Sequence, residues 1–166
     1  MSMNNKTKTE KPSLTGQDVS SPSLFDQFGR TFDYLRIAVN EKCNLRCIYC
    51  MPEKGVPFKP ENELLNAVEI TRLVKIAASL GVKKVRFTGG EPLLRKDITE
   101  LIQAAAGTPG IRSVHLTTNG IFLESAISEL QEAGLTGVNI SLDTLNPERF
   151  KKITRRNGLA QVMAGL

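Results

Sequence analysis

Residues 66–88, NAVEITRLVKIAASLGVKKVRFT, decide how this chain folds. Asn66 is a helix N-cap residue, and Glu69 stands at the capping-box position. Apolar residues recur at 70, 73, 74, 76, 77 and 80, which is the spacing of one helix face, and Gly81 follows as a stop. The spacing predicts a helix over 66–80 and a strand over 83–88. The same alternation extends in both directions. Residues 34–39 read as a strand, 95–106 as a helix ended by Gly107 and Pro109, and 113–118 as a strand. Residues 124–133 read as a helix stopped by Gly134, and 137–142 as a strand. Asn146-Pro147 opens a fourth helix as N-cap and first-turn proline. After Asn157-Gly158 another apolar helix begins. Four successive βα units imply an α/β fold with a parallel sheet and right-handed crossovers. Many such sheets curl into full or partial barrels, with ligands at the C-terminal ends of the strands.

The 166 residues are 40% apolar and 23% charged, ordinary for a globular domain. No run of about 18 apolar residues occurs, so no transmembrane helix and no membrane partner are expected. Residues 1–23 are polar, lack the apolar stretch of a signal peptide, and contain acids but no Arg. They are expected to form a disordered tail, with the folded part over 24–166 and a cytoplasmic location. The net charge of +5 comes partly from two basic clusters: Lys83, Lys84 and Arg86, and Lys151, Lys152, Arg155 and Arg156. Such clusters suit an anionic ligand such as a nucleotide phosphate, or simply a solvated face. With no Trp, two Tyr and no recognised motif, nucleic-acid binding is not expected.

All three cysteines lie in one loop after the first strand, as Cys43-Asn44-Leu45-Arg46-Cys47-Ile48-Tyr49-Cys50. An odd, crowded set is a poor disulfide framework and points to metal or redox chemistry. Iron favours thiolate ligands, and three thiolates can hold three irons of a [4Fe-4S] cubane. The fourth iron is then open to a small chelating ligand, such as the amino and carboxylate groups of a methionine moiety. A Cys3His zinc site would need His115, the one histidine, which lies far away in the middle of a strand.

Three further motifs close the next three strands. In Thr88-Gly89-Gly90-Glu91-Pro92 the glycines admit close backbone approach and Glu91 can accept from an ammonium group, or the segment is a tight βα turn. Thr117-Thr118-Asn119-Gly120 offers hydroxyls and an amide to a sugar or base, or forms an Asn-Gly turn. In Ser141-Leu142-Asp143, Ser and Asp suit ribose hydroxyls, or Asp143 caps the fourth helix. Tyr49 suits stacking on a purine, or shields the cysteines. Arg36 and Arg86 sit inside strands expected to be buried, and need either an anionic ligand or a carboxylate partner.

These motifs together resemble the radical S-adenosylmethionine superfamily. Within it, FGR at 28–30, DYLRI at 33–37, CNLRCIYCMP at 43–52, VRFTGGEPL at 85–93, TTNG at 117–120 and NISLD at 139–143 resemble the GTP 3′,8-cyclase family of molybdenum cofactor biosynthesis. The resemblance implies that Cys43, Cys47 and Cys50 bind a [4Fe-4S] cluster. It implies that Tyr49, Gly90 and Ser141 contact S-adenosylmethionine, with Glu91 near its amino group, and that Arg36, Arg86 and Thr117 contact GTP. The implied reaction cleaves S-adenosylmethionine to methionine and a 5′-deoxyadenosyl radical, which takes the 3′ hydrogen of GTP. The ribose radical then closes onto C8 of guanine, giving 3′,8-cyclo-7,8-dihydroguanosine 5′-triphosphate. Cyclic pyranopterin monophosphate synthase would act next. The family has a six-unit partial barrel, of which about four units are expected here. Its second [4Fe-4S] cluster on three C-terminal cysteines and its C-terminal double glycine do not occur within these 166 residues. The chain is therefore expected to be the N-terminal part of such an enzyme, with a complementary C-terminal chain or a second copy as partner. Two other readings stand: another radical S-adenosylmethionine enzyme, such as a peptide-modifying one, and a non-catalytic remnant that binds a cluster.

Overall fold

The computed structural model describes residues 23–166. The tail expected over 1–23 lies, but for Ser23, outside the described residues. Four strands, β1 (Tyr34–Ala38), β2 (Lys84–Thr88), β3 (Ser113–Thr118) and β4 (Gly137–Ile140), form one parallel sheet in the order β1-β2-β3-β4. Helices α1 (Ala67–Ser79), α2 (Ile98–Ala106), α3 (Leu123–Glu132), α4 (Pro147–Thr154) and α5 (Leu159–Ala164) alternate with them or follow β4. This is the α/β architecture expected, with four βα units of a partial barrel.

One device sets the spacing of the first helix and is used again by the third. Asn66 caps α1 with a full capping box. At its other end Gly81, at φ +95°, donates its N–H to Ala78, and Val82 donates to Ala77. Gly134, at φ +98°, and Leu135 do the same to Gln131 and Leu130 at the end of α3. This left-handed stop is cheap only for glycine. In both places it turns a buried aliphatic residue, Val82 or Leu135, back toward the sheet.

Alternation along the strands then makes two unlike faces. Val85, Phe87, Val114 and Leu116 are all but inaccessible and pack with Ile70, Val74, Leu101, Ile102 and Leu130 of the helices. Each such buried side chain contributes roughly 1.5–3 kcal/mol. The other face carries Tyr34, Arg36, Lys84, Arg86 and His115. Arg36, Arg86, His115 and Gly137 stand in register across all four strands. A second small cluster, Leu45, Phe150, Leu159 and Val162, joins the cysteine loop to α4 and α5.

Two boundaries differ from the sequence-based expectation by more than one residue. The second helix begins at Ile98, not 95, after a 3-10 turn over Pro92–Leu94. Arg95 is extended because its guanidinium reaches away from the helix, to the carbonyls of Val39 and Leu65. The fourth strand ends at Ile140, although Ser141 N still donates to Thr118 O at 2.9 Å.

Candidate active site

The connection from β1 to α1 spans residues 39–66, long for a βα loop, and long loops of this kind are usually functional. Backbone pairing carries it along the end of β2: Gly90 N donates to Asn40 O at 3.0 Å and Glu91 N to Lys42 O at 2.7 Å. Arg95 ties the loop's two ends together through Val39 and Leu65, oriented by Asp97 at 2.6 and 3.0 Å. That bidentate pair holds the Asp97 carboxyl below its usual range.

The cysteine turn itself rests on α4. Arg46 N and Ile48 N donate to the carbonyls of Thr154 and Ile153, both at 2.9 Å, which are among the orphan acceptors of a helix C-terminus. Arg155, in the left-handed region at φ 55°, sends its guanidinium to the carbonyls of Arg46 and Met51. Arg46 in turn donates to Cys43 O at 2.6 Å and Leu45 O at 2.8 Å.

A cleft of about 210 Å³ opens at the C-terminal ends of the strands, beside this turn. Its wall brings together Cys43, Cys47, Tyr49, Cys50, Gly90, Ser141, Thr117 and Arg36. Two of the candidate residues are not on that wall. Arg86 lies on the same sheet face, in register with Arg36, and its guanidinium is 5.7 Å from the centre of the Tyr34 ring. Glu91 is fully buried, and its carboxylate is turned into the protein. Oε1 accepts from Leu93 N at 3.0 Å and from Thr118 Oγ1 at 2.7 Å, and Oε2 from Asn119 N at 2.7 Å. Burial pushes its carboxyl above the ordinary value, against those hydrogen bonds. Both glycines are needed for contact within the protein: a Cβ on Gly90 would overlap the Lys42 and Glu41 carbonyls, and one on Gly89 would meet Asn40 O at 2.5 Å.

Tyr49 is exposed and donates its hydroxyl to Asp143 Oδ2 at 2.7 Å, spanning from the cysteine turn to the end of β4. The helix cap weighed for Asp143 falls instead to Asn146, whose side chain accepts from Arg149 N. Neither Arg36 nor Arg86 pairs with a carboxylate among the described residues. Arg36 is exposed rather than buried, with no element covering its face there among the described residues. Arg86 Nε, Thr117 Oγ1 and Asn40 Oδ1 are buried with no hydrogen-bond partner among those residues. Unpaired buried polar atoms are costly, and on this face they suit a polar ligand.

The three cysteines are free. Burial raises the thiols of Cys43 and Cys47, as it does for thiols in general without a metal to stabilise the thiolate. Among the described residues no three ligating side chains converge on one ion. The donor set, three thiols on one turn with the one histidine, His115, off the cleft wall, suits an iron–sulfur cluster better than a Cys3His zinc site. Asn119, Arg46, Arg95 and Arg155 support this site without having been singled out for that role in the sequence. Their signals are tertiary, apart from the Asn-Gly pair that contains Asn119.

A parallel βα sheet with three cysteines, a double-glycine turn and polar strand ends on one cleft defines a class, and the chain belongs to it: the radical SAM superfamily, whose family model matches residues 37–166. Its more particular likeness is to proteins of molybdenum cofactor biosynthesis. It is 52% identical over 141 residues to molybdenum cofactor biosynthesis protein moc-5 of Caenorhabditis elegans, covering 85% of this chain and 24% of that protein. It is 48% identical over 143 residues to a GTP 3′,8-cyclase of Lactiplantibacillus plantarum, covering 86% of this chain and 43% of that one. The chain thus spans less than half the length of these relatives. In fold it resembles Streptococcus suis SuiB bound to S-adenosylmethionine, with a TM-score of 0.61 and 23% identity over 80% of this chain and 28% of that one. Methylornithine synthase (PylB) is similar at the same TM-score, 17% identical, over 80% of this chain and 39% of that one. Among the described residues no helix is long and apolar enough to cross a membrane.

Proposed function

We propose that this chain carries the S-adenosylmethionine half of a GTP 3′,8-cyclase. The observation that supports it most is the common cleft of Cys43, Cys47, Cys50, Gly90 and Ser141, in a chain about half identical to such cyclases. Cys43, Cys47 and Cys50 would hold the [4Fe-4S] cluster. When bound, that cluster supplies the electron that splits S-adenosylmethionine to methionine and a 5′-deoxyadenosyl radical. Gly90 and Ser141 line the place for the cofactor, and Tyr49 exchanges its bond to Asp143 for contact with the adenosine. Glu91 orients the amino-group side of that place through the backbone it holds. Arg36, Arg86 and Thr117 receive GTP, whose phosphates neutralise the basic face. The free cysteines suit a reducing compartment such as the cytoplasm. The pathway would continue through cyclic pyranopterin monophosphate synthase. A complementary C-terminal chain or a second copy would complete the GTP site.

Anaerobic reconstitution with iron and sulfide, then dithionite and S-adenosylmethionine, tests this reading. About four irons per chain and release of 5′-deoxyadenosine are expected, with GTP consumed once the partner is present. Uptake of zinc, or a cluster that never cleaves S-adenosylmethionine, would leave a binding remnant.

The basic face makes a separate prediction. Burial, with Lys84 and Arg86, holds His115 below its ordinary value of 6.5, so it is neutral at neutral pH. A triphosphate beside it would raise that value again, so binding takes up a proton. GTP affinity by calorimetry should therefore rise as pH falls from about 7.5 to about 6, more steeply than in His115→Gln. Equal slopes in the two proteins would remove His115 from the phosphate site.

A further inference from the structure

We propose that Asn119 is a positioning residue for the Cys43 ligand, its carboxamide N–H aimed at Cys43 Sγ and raising the reduction potential of the cluster. This rests on the reading above that the three cysteines hold a [4Fe-4S] cluster.

The carboxamide is fixed from several sides. Asn119 backbone N donates to the buried Glu91 Oε2 at 2.7 Å, which anchors the residue at the end of β3. Its Oδ1 accepts from Ile121 N at 3.1 Å, so the oxygen end of the amide faces Ile121 and the nitrogen end faces the cysteine loop. Nδ2 has two hydrogens and two acceptors. It donates to Asn44 Oδ1 at 2.7 Å and reaches Cys43 Sγ at 3.8 Å. Leu45 N donates to the same sulfur at 3.4 Å. Two N–H groups, one from the loop's own backbone and one from the end of β3, thus converge on a single sulfur.

A donor to a ligating sulfur withdraws charge from the cluster and favours the state with one more electron. Asn119 therefore makes the cluster easier to reduce. It does so from the TTNG segment, which closes a different strand from the one that feeds the cysteines. A buried carboxylate on a third segment, Glu91, holds it in place.

The test is a mediated potentiometric titration of the reconstituted chain, read by electron paramagnetic resonance, with iron counted in each sample. Asn119→Asp keeps the acceptor for Ile121 N and loses the donor, so it is the variant least disruptive to folding. Its cluster should form with wild-type iron content and a midpoint shifted to more negative potential. Asn119→Ala should shift the same way, by less, because it adds no charge. Asn44→Ala, which removes the amide's other acceptor but leaves the N–H to sulfur, should stay near the wild-type midpoint. Unchanged midpoints in both Asn119 variants, or an equal shift in Asn44→Ala, would overturn the proposal. If the wild-type chain assembles no [4Fe-4S] cluster at all, the underlying reading fails and this one with it. An assembled wild-type cluster with no shift in the variants defeats this inference alone.

Discussion

Replacing Glu91 with alanine should cost the apo fold about 3–5 kcal/mol in urea unfolding, because three buried donors each lose roughly 1–3 kcal/mol when orphaned, less whatever water regains. The donors are Leu93 N, Thr118 Oγ1 and Asn119 N, and Glu91 itself is inaccessible to solvent. For a domain of ordinary stability, about 5–15 kcal/mol, that is a large fraction. Glu91→Gln keeps one acceptor and should lose less, since its amide nitrogen then faces a donor. The difference between wild type and Gln should also vary with pH. Burial raises the Glu91 carboxyl above the ordinary 4.5. The stability this group contributes is therefore full below that value and is lost as pH rises through its folded-state value. The advantage of wild type over Gln should shrink from acid toward neutral pH. An alanine variant within about 1 kcal/mol of wild type would show that the carboxylate does not brace the site.

Gly90→Ala should leave the core intact and disable the site. Its new Cβ would overlap the backbone of Glu41 and Lys42, so the cysteine loop must move off the end of β2. The hydrogen bonds Gly90 N to Asn40 O and Glu91 N to Lys42 O go with it. The residues of the main core are packed elsewhere, so the unfolding midpoint should fall modestly. Cluster affinity should drop about 10–100-fold, the usual effect of disturbing the groups that hold metal ligands. Gly107→Ala is the control: its φ is −77° and a Cβ there meets nothing closer than 3.4 Å. Wild-type iron uptake by Gly90→Ala would mean that the loop can be seated another way.

The fold was legible because its punctuation is local. The Asn66 capping box, the glycine stops at 81 and 134, and the Asn146-Pro147 start each act within a few residues of where they stand. The cleft wall was legible for the same reason: motifs that end parallel strands meet at one edge of the sheet. The missing parts depend on partners distant in the chain. Arg95 looks like the first turn of a helix until Val39 and Leu65 claim its guanidinium. Glu91 looks like a ligand group until Thr118 and Asn119 occupy its oxygens. Arg36 reads as buried in a strand because strand periodicity does not tell which face of a sheet is covered, whereas Arg86 is partly buried, with its Nε shielded.

The seat of the cysteine turn has a consequence for the order of events during synthesis. Arg155 binds Met51 across a separation of 104 residues, and the α4 carbonyls hold Arg46 and Ile48 over a similar span. At about 5–20 residues per second, a ribosome needs roughly 5–20 s to make that intervening stretch. Throughout that interval Cys43, Cys47 and Cys50 are present on the nascent chain without the helix that shapes their turn. Newly made protein therefore passes through a window in which its thiols are open to oxidation before α4 exists to shape their turn, and on the proposed reading iron delivery has to wait until α4 has been made.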